Sequence, residues 1–398
     1  MNILIINAHS SKNKGDAGIV LSMIDSLKKE FPDCKIKIKS RFPELDANIY
    51  GEEVLKTSFY TKKSFYKILY TLKLLFYLNI KNYHRDNDYK WADVVLSCGG
   101  GYLLCHRFSY ALLQHLFQIK LAIDYNKPVI IYAQSIGPFY NNLMQKLTKK
   151  VLNKVTKIFV REDISLKWLE KIGVSNKSVA IVPDSAFSMD MKKSDFVDNT
   201  LANLNVKSIG PLIGVTVRDW DFPEVTNKKE HRKNYICSIV ETIKYLEEQY
   251  NASILLIPQV LGPNSFNDDR IISNEIKMLC GSKNLILLDY DFHPREIKYL
   301  YSKMDLFIGT RMHSNIFSLS NKIPTVAINY EHKTKGIMKM LELYEYVIDI
   351  NEITPDSLIE KVDLCIKNKT SIINKLNLII PKIIIKAQEP SKYINNLY

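Results

Sequence analysis

The chain has 398 residues, of which 46% are hydrophobic and 24% are charged, and its formal net charge is +13. The length predicts two domains with buried cores, and the composition is ordinary for a soluble globular protein. The positive charge favours an acidic partner, either a phosphorylated substrate or an anionic membrane surface. No helix-turn-helix, RRM or zinc-finger pattern supports binding to nucleic acid.

The sequence carries no recognisable export or membrane signal. Residues 1–7 form a short apolar run without a basic start or a cleavage site, and the most apolar stretch, 68–80, is interrupted by Lys73. The six cysteines lack CxxC spacing, and no His/Cys cluster completes a zinc knuckle. We therefore expect reduced thiols, no bound metal and a cytoplasmic location.

The first half alternates short apolar runs with segments of helical period. The predicted strands cover 2–8, 35–39, 92–97, 128–133, 157–160 and 179–182, and the predicted helices cover 19–31, 110–125, 141–153 and 164–172. Strands that are apolar along their whole length, separated by helices, are typical of a parallel sheet covered on both faces. The first half is therefore predicted to be one doubly wound domain.

A basic, aromatic segment at 58–83 interrupts this alternation. Its apolar residues have helical spacing, and lysines lie among them. The pattern fits either a core helix or an amphipathic helix on a membrane surface. We favour the core helix, because most segments of this kind pack inside a protein.

The polar region 191–207 is the predicted linker, after which the alternation restarts. Strands are predicted at 212–217, 253–257, 285–288, 305–309 and 325–328, and helices at 233–250 and 294–303. The predicted fold class is α/β, with two doubly wound domains at 1–195 and 205–370 whose sheets face a central cleft. A helical tail at 371–398 is expected to be broken or kinked at Pro381 and to cross back to the first domain.

Polar or glycine residues follow the predicted strands of the first domain. Asp16 either caps the first helix or lies in a loop that approaches a ligand, and Gly100 indicates a tight turn or close backbone approach. Ser135 either presents its hydroxyl to the cleft or belongs to a Gly-Pro turn. Asp184 either accepts protons from sugar hydroxyls or caps the next turn. The neighbouring Arg161 and Glu162 form a structural ion pair or direct a charge into the cleft, and we favour the ion pair.

The second domain has the clearest candidate site, at 306–318. An apolar strand ends at Gly309, Arg311 and His313 follow, and a helix begins, which predicts an anion site with an acid or base beside it. Arg218 comes at the end of another apolar strand, and two guanidinium groups suit a ligand that has both a phosphate and a carboxylate. One of Lys333 and Lys335, after a further strand, is a candidate phosphate contact. The alternatives are loop-capping or surface side chains.

These motifs together resemble the polysaccharide pyruvyl transferase family. The resemblance extends over about 2–350 and depends on the order of Asn13, Gly15, Asp16, Gly99–Gly101, Ser135–Pro138, Arg161, Glu162, Ser165, Pro183, Asp184, Gly309, Arg311, His313, Tyr330 and Lys333. Segment 58–83 and the C-terminal tail do not match the family.

The resemblance implies a glycosyltransferase-B-like fold with Rossmann-like domains, the first on the acceptor side and the second on the donor side. The implied activity transfers pyruvate from phosphoenolpyruvate, a co-substrate, to two sugar hydroxyls as a cyclic ketal, without a further cofactor. It places His313 as general acid and Arg218 and Arg311 as donor ligands, and we add Lys333 as a donor ligand from its position after a strand. The positive charge is compatible with an acceptor on polyprenyl diphosphate and with peripheral contact at the inner membrane face.

Two other functions remain open at this point. A nucleotide-sugar glycosyltransferase would use the same fold and place a diphosphate at the Arg311–His313 helix start. A non-catalytic carbohydrate- or polyanion-binding protein would need the arginines but no proton donor. The acceptor sugar, the ketal position and the general base are left unassigned by the sequence, with Asp16 and Asp184 as candidate bases.

Overall fold

The computed structural model describes residues 1–61, 63–80, 86–175, 178–204, 210–262 and 264–397. Residues 62 and 81–83 of the predicted basic segment lie outside the described residues. Residues 205–209, which include the end of the predicted linker and the start of the predicted second domain, also lie outside them, as does Tyr398. The chain divides into two compact units. The first comprises Met1–Ser11, Asp16–Met189 and Ile384–Tyr398, and the second comprises Lys12–Gly15 and Asp190–Ile383.

The first unit contains a parallel sheet of eight strands. Its strands are β1 Asn2–Ala8, β2 Lys35–Ser40, β3 Glu53–Lys56, β4 Val94–Ser97, β5 Gly100–Cys105, β6 Val129–Phe139, β7 Lys157–Val160 and β8 Val179–Ile181. The spatial order is β3-β2-β1-β4-β6-β7-β8, and β5 pairs with β6. Its helices are α1 Lys14–Glu30, α2 Pro43–Tyr50, α3 Ser64–Tyr77, α4 Asn87–Trp91, α5 Tyr110–Asp124, α6 Asn142–Leu152 and α7 Asp163–Lys171, followed by a 3₁₀ turn at Ser185–Ser188.

The second unit has a parallel sheet of six strands. It comprises α8 Asp195–Asn203, β9 Leu212–Thr216, α9 Lys228–Tyr250, β10 Ser253–Leu256, α10 Asp269–Cys280, β11 Leu285–Leu287, α11 Pro294–Tyr301, β12 Leu306–Gly309, α12 Met312–Ser320, β13 Thr325–Asn329, α13 His332–Met340, β14 Val347–Asp349 and α14 Pro355–Lys367. The strand order is β11-β10-β9-β12-β13-β14. Short 3₁₀ turns lie at Ser265–Asn267 and Tyr344–Tyr346.

Gly100 and Ser135, for which a turn was one of two alternatives, both lie in strands. Strand β6 continues through Ser135 to Phe139, and Gly100 is the first residue of β5. The two strands pair, with Leu103 opposite Ile136. The turn alternative is therefore wrong, because this pairing extends a strand through a Gly-Pro sequence that is typical of a turn.

The C-terminal helices are α15 Lys369–Ala387 and α16 Glu389–Ile394, followed by a 3₁₀ turn at Asn395–Leu397. Helix α15 is continuous through Pro381, so the expected break does not occur. Leu376 and Ile380 before the proline and Ile383 after it are buried. This packing keeps the helical path although the proline removes one backbone hydrogen bond.

Helix α3 accounts for the basic, aromatic segment and has two apolar faces. Leu74 and Leu78, the residue after the helix, are buried against the core. Other apolar side chains of the helix are exposed, with Phe65 at 76% and Ile68 at 68%. The core interpretation was therefore wrong for one face of this helix. Among the described residues, no helix combines the length and the apolar character that crossing a bilayer requires.

Candidate functional site

The candidate site in the second unit lies at the turn from β12 into α12. Strand β12 pairs with β9 on one side and β13 on the other, with Gly309 opposite Thr216. Two hydroxyl contacts fix the turn: Ser314 Oγ lies 2.6 Å from Thr216 Oγ1, and Tyr235 Oη lies 2.8 Å from Thr310 Oγ1. The predicted strand, turn and helix start are therefore present, and buried hydroxyls hold them in place.

Arg311 is the first residue after this turn and forms a buried ion pair with Asp269. Its Nε lies 3.2 and 3.1 Å from the two carboxylate oxygens, and Nη2 donates to Oδ1. The Arg311 side chain is 11% exposed and that of Asp269 is 2% exposed. Burial alone would lower the pKa of Arg311, but Asp269 raises it above its ordinary value, so the guanidinium stays charged. Its charge is compensated within the protein.

Asp269 also organises the loop before its own helix. Its Oδ2 accepts hydrogen bonds from the backbone N–H groups of Gln259, at 3.2 Å, and Val260, at 3.0 Å. Asp269 is not among the site residues that the sequence predicts. Asp268, Asp269 and Arg270 look like an ordinary charged helix start, and no local pattern links them to Arg311, 42 positions along the chain.

Arg218 has a different environment, because aromatic rings surround its guanidinium. The guanidinium carbon lies 4.6 Å from the centre of the Trp220 ring and 4.3 Å from that of Tyr330. Within the part of the chain that the structure describes, Arg218 forms no ion pair with a carboxylate. Its positive charge is therefore oriented by the two rings and left uncompensated.

The order of the strands brings the two arginines to one edge of the sheet. Arg218 follows β9, Arg311 follows the neighbouring β12, and Tyr330 follows β13. The backbone N–H of Arg218 donates to Tyr235 Oη at 3.3 Å, and this hydroxyl also contacts Thr310 beside Arg311. Tyr235 thus links the two strand ends, and burial raises its pKa to about 12, so that it stays protonated.

His313 is the second residue of α12 and packs against Gly15. A Cβ atom on Gly15 would lie 2.3 Å from Nδ1 of His313 and 2.5 Å from its Cβ, which is closer than atoms can approach. The Asn13 side chain accepts a hydrogen bond from the Gly15 N–H at 3.1 Å. Asn13, rather than Asp16, is therefore the capping residue of α1, and Asp16 is a half-buried residue of its first turn. Gly15 is required by the imidazole of His313.

The segment that carries Gly15 is fixed to the second unit. The Lys14 N–H donates to the Gln259 carbonyl at 3.1 Å, and Leu261 N–H donates to the Lys12 carbonyl at 2.9 Å. The Lys14 side chain is 2% exposed, and its Nζ lies 2.5 Å from Asp291 Oδ1. Burial lowers the pKa of Lys14 from its ordinary value, although Asp291 acts in the opposite direction. A buried ion pair therefore holds the loop beside His313.

Lys333 lies in the first turn of α13. Its Nζ is 3.6 Å from a carboxylate oxygen of Glu331, and its side chain is 18% exposed. Lys335, the alternative considered for a phosphate contact, is 2.7 Å from Asp349. Lys333 thus has the longer and weaker of the two ion pairs.

The candidates of the first unit form a separate buried cluster. Arg161 donates to Ser135 Oγ at 3.0 Å from Nε and 2.7 Å from Nη2, and its Nη1 donates to Asp184. Ser135 Oγ donates to Glu162 at 3.0 Å. The expected Arg161–Glu162 pair is thus replaced by a pair between Arg161 and Asp184, because Glu162 accepts from Ser135 and from Ser165.

Asp184 also has a capping function. Its Oδ1 accepts from the Ala186 N–H at 2.9 Å, at the start of the 3₁₀ turn. The side chains of Arg161 and Asp184 are 6% and 3% exposed. Burial alone would lower the pKa of Arg161, but Asp184 raises it above its ordinary value. In this cluster Arg161 and Asp184 pair with each other, and Glu162 accepts hydrogen bonds from two serine hydroxyls.

Gly100 contacts the aromatic side chain of Tyr102. Its φ is +130°, and a Cβ there would lie 2.4 Å from the Tyr102 ring. Tyr102 stacks on His9 with ring centres 3.8 Å apart. The absence of a side chain at Gly100 therefore lets the Tyr102 ring, rather than a ligand, lie against the backbone. Within the described ranges, no three His, Cys, Asp or Glu residues are grouped so that they could hold a metal ion.

Comparisons with known proteins show the family of the chain and its relatives. A family model described as polysaccharide pyruvyl transferase matches residues 13–332. The Amylovoran biosynthesis protein AmsJ of Erwinia amylovora is 28% identical over 391 residues and 92% of each chain is covered.

The similar solved structures show the fold. The UDP-GlcNAc 2-epimerase of Neisseria meningitidis, solved with UDP-GlcNAc bound, is 13% identical with a TM-score of 0.62, covering 100% of this chain and 99% of its own. HepE from Anabaena, in complex with UDP-glucose, is 12% identical with a TM-score of 0.62, covering 100% of both chains. The predicted α/β class, with two Rossmann-like domains of glycosyltransferase-B type, is confirmed.

Proposed function

The chain belongs to the polysaccharide pyruvyl transferase family, and on this premise we propose that it transfers pyruvate from phosphoenolpyruvate to two hydroxyls of a sugar as a cyclic ketal. Family membership and the similarity to AmsJ make it a transferase of polysaccharide biosynthesis. The donor and the ketal product are our proposal. The reaction as written uses phosphoenolpyruvate as co-substrate and requires no further cofactor.

The uncompensated charge of Arg218 is the observation that supports a doubly anionic donor. Arg311 is neutralised by Asp269, so Arg218 supplies the net positive charge at this edge of the sheet. The N-terminus of α12 adds a positive dipole and Lys333 adds a second cation. We assign the donor phosphate and carboxylate to Arg218, Arg311, Lys333 and this helix start.

His313 is the proposed general acid. It is the second residue of α12, whose N-cap is Arg311, and Gly15 restricts the position of its ring. A proton donor held in place can reach the vinyl carbon of a donor bound at the same helix start. A protein that only bound a carbohydrate or a polyanion would gain nothing from a placed acid.

The proton balance of the reaction can be written with His313 as the single acid. His313 protonates the methylene carbon of phosphoenolpyruvate, and the resulting oxocarbenium-like centre is attacked by one sugar hydroxyl, which releases its proton. The C–O bond to phosphate then breaks, and the second hydroxyl closes the ring and releases its proton. One proton restores His313 and the other leaves with phosphate, so the products are the ketal and inorganic phosphate.

The acceptor is proposed to be a sugar of a bacterial surface polysaccharide or exopolysaccharide, carried on a polyprenyl diphosphate at the inner membrane face. The net charge of +13 supports an anionic carrier and a cytoplasmic, peripheral location. Asp16, Gly100, Ser135 and Asp184 were predicted on the acceptor side. Of the two candidate bases, Asp184 is engaged by Arg161 and by the Ala186 N–H, and Asp16 is a half-buried residue in the first turn of α1.

Ligand-dependent thermal unfolding tests the donor. We expect phosphoenolpyruvate to raise the unfolding midpoint by mass action and UDP-sugars to leave it unchanged. Arg218→Gln should remove most of the shift, with a loss of affinity of about tenfold or more, because it deletes a charged contact. Arg232→Gln is the matched control, since Arg232 lies in the same unit but pairs with Asp219 and Glu275.

Phosphate release measured with lipid-linked and free sugar acceptors then tests the reaction. Release that depends on both phosphoenolpyruvate and acceptor, together with a ketal in the product by mass spectrometry and NMR, is the expected result. A midpoint shift with a UDP-sugar alone, with no phosphate released, would replace the proposal by glycosyl transfer.

A further inference from the structure

Helix α3 has an apolar stripe on the face opposite its buried one. Leu74 and Leu78 point into the first unit, and Phe59 and Tyr77 pack there against Phe117. The exposed apolar residues follow helical spacing: Phe65, Ile68, Leu69, Leu72 and Phe76. At 3.6 residues per turn they lie within a sector of about 100° on the helix. Such a stripe on a surface indicates a contact with something outside the unit.

The exposure of this stripe is large for a soluble protein. Phe65 is 76%, Ile68 68%, Leu72 62% and Phe76 61% exposed. Lys63, Lys67 and Lys73 lie before and along the helix. Within the described residues, these lysines form no ion pairs. The helix therefore presents apolar side chains bordered by uncompensated positive charge.

A basic cavity of about 630 Å³ adjoins the start of α3. Tyr66 and Tyr70 of the helix line it, together with Tyr60, Arg41, Lys56 and Lys63. Glu44 is the single acidic residue in the lining, and it forms no ion pair with these cations within the described residues. The cavity is therefore suited to an anion.

Arg41 is oriented by a buried hydrogen-bond network. Its Nη2 lies 3.1 Å from Nε2 of His115, whose Nδ1 lies 2.9 Å from Asn7 Oδ1. Asn7 Oδ1 also accepts from the Gln118 amide at 2.7 Å, so the Nδ1 of His115 donates and its Nε2 accepts from Arg41. The guanidinium is thus held by a neutral imidazole, and its charge remains available to the cavity, where it lies 5.6 Å from the Tyr60 ring centre.

We propose that α3 and this cavity form a docking surface for an anionic lipid bilayer. The exposed stripe of α3 enters the interface between headgroups and acyl chains, and Arg41, Lys56 and Lys63 contact headgroup phosphates. This surface makes the membrane contact of the proposed function, and its binding to lipid does not depend on the donor or on the chemistry.

Charge favours a bilayer over a second copy of the chain as the occupant. Two copies meeting through α3 would bring two sets of uncompensated lysines together, which is unfavourable. An anionic bilayer meets both the apolar stripe and the cations with complementary chemistry. The surface is therefore assigned to lipid.

Sedimentation with vesicles tests the proposal without donor or acceptor. The full-length protein is mixed at low salt with vesicles of phosphatidylcholine alone or of phosphatidylcholine with phosphatidylglycerol. We expect binding to the anionic vesicles only, and a marked loss of binding at high salt. The double variant Ile68→Asn/Leu72→Asn should weaken binding by about tenfold or more. Lys63→Gln/Lys67→Gln should weaken it about fivefold for each lysine removed.

Matched controls separate the surface from general effects. Met278→Asn/Leu279→Asn replaces exposed apolar side chains of α10, and Lys228→Gln/Lys229→Gln removes the same charge from α9; both should bind like the parent. All four substituted residues of α3 and its N-cap are exposed, so thermal midpoints should not change.

Three outcomes would overturn the proposal. The first is no binding to anionic vesicles, and the second is unchanged binding by the Ile68→Asn/Leu72→Asn variant. The third is a parent dimer, seen by analytical ultracentrifugation, that this variant dissociates while vesicle binding is absent, which would make the stripe an interface between copies. Phosphate release with a soluble sugar acceptor is measured in parallel, so that failure here is distinguished from failure of pyruvyl transfer.

Discussion

Arg161 and Arg218 both follow apolar parallel strands, yet the structure gives them opposite environments. Arg161, in the first unit, is buried with Asp184 and with the hydroxyl of Ser135, and every charge in its cluster has a partner. Arg218, in the second unit, lies against the rings of Trp220 and Tyr330 without a carboxylate among the described residues. The two arginines have similar positions after a strand, but the groups that surround their side chains differ.

An arginine at a strand end therefore indicates a ligand more strongly when no carboxylate of the protein compensates its charge. Arg311 is intermediate, since it lies at the helix start of the candidate site but is paired with Asp269. A cluster that satisfies its own charges contributes to stability, whereas an uncompensated cation with fixed orientation is available to an anion. The first unit therefore holds a closed cluster, and the second holds an open site.

The largest expected effect is on turnover at the open site. His313→Ala should lower kcat by roughly 10²–10⁴-fold, because it removes the proposed proton donor. Phosphoenolpyruvate affinity should change only a few-fold, because the arginines remain. Phosphate-release kinetics and donor titration measure the two quantities. Equal losses in turnover and donor affinity would make His313 a binding residue and contradict its role as acid.

Replacing Arg161 or Arg218 by glutamine should lower the free energy of unfolding by different amounts. Arg161→Gln removes the guanidinium that compensates the buried Asp184 carboxylate, which should lower the free energy of unfolding by about 3–5 kcal/mol. Arg218→Gln loses only its aromatic contacts, about 1 kcal/mol. Chemical denaturation checks both variants. A large destabilisation by Arg218→Gln would remove the distinction between a closed and an open cluster.

Acid should destabilise the protein through the histidines of the first unit. Burial, assisted by Arg41, lowers the pKa of His9 from 6.5 to about 3, and burial also lowers the pKa of His115. In the unfolded chain the His9 imidazole takes up a proton below its ordinary pKa of 6.5, whereas in the native protein it stays neutral. Stability is therefore lost as the pH falls from 6.5 towards 3, by about 2 kcal/mol for His9 between pH 7 and pH 5.

Thermal unfolding midpoints at the two pH values check this effect. His9→Asn should reduce the loss on acidification, and the exposed His106→Asn should behave like the parent. If His9→Asn and the parent lose the same stability between these pH values, the buried imidazole is not the source of the acid sensitivity.

The smallest expected effect concerns the contact between Gly15 and His313. Gly15→Ala places a methyl group 2.3 Å from the Nδ1 position and 2.5 Å from the Cβ of His313, so the ring must shift, and we expect kcat to fall about tenfold and the free energy of unfolding to fall by about 1–3 kcal/mol. Gly336→Ala is the matched control, since nothing lies within 4 Å of a Cβ there and the residue is also helical. Equal activity of the two variants would show that the position of the ring is not critical.

Local sequence patterns predicted the strands and the helix start that build the candidate site. The apolar run before Gly309 and the change to helical period after Arg311 matched β12 and α12, because these patterns reflect burial of the element itself. The same argument failed at Ser135, where pairing with β5 extended β6, and at Pro381, where packing kept α15 helical. Both depend on distant contacts.

Local sequence patterns place Arg218 and Arg311 after apolar strands and His313 at a helix start, since strand ends and helix starts are local events. Which of these charges is compensated depends on contacts between distant parts of the chain. Asp269 neutralises Arg311 from 42 positions away, and Tyr330 reaches Arg218 because β9, β12 and β13 are neighbours in the sheet. The physical reason is that charge compensation depends on distance in space, which a sequence pattern does not specify.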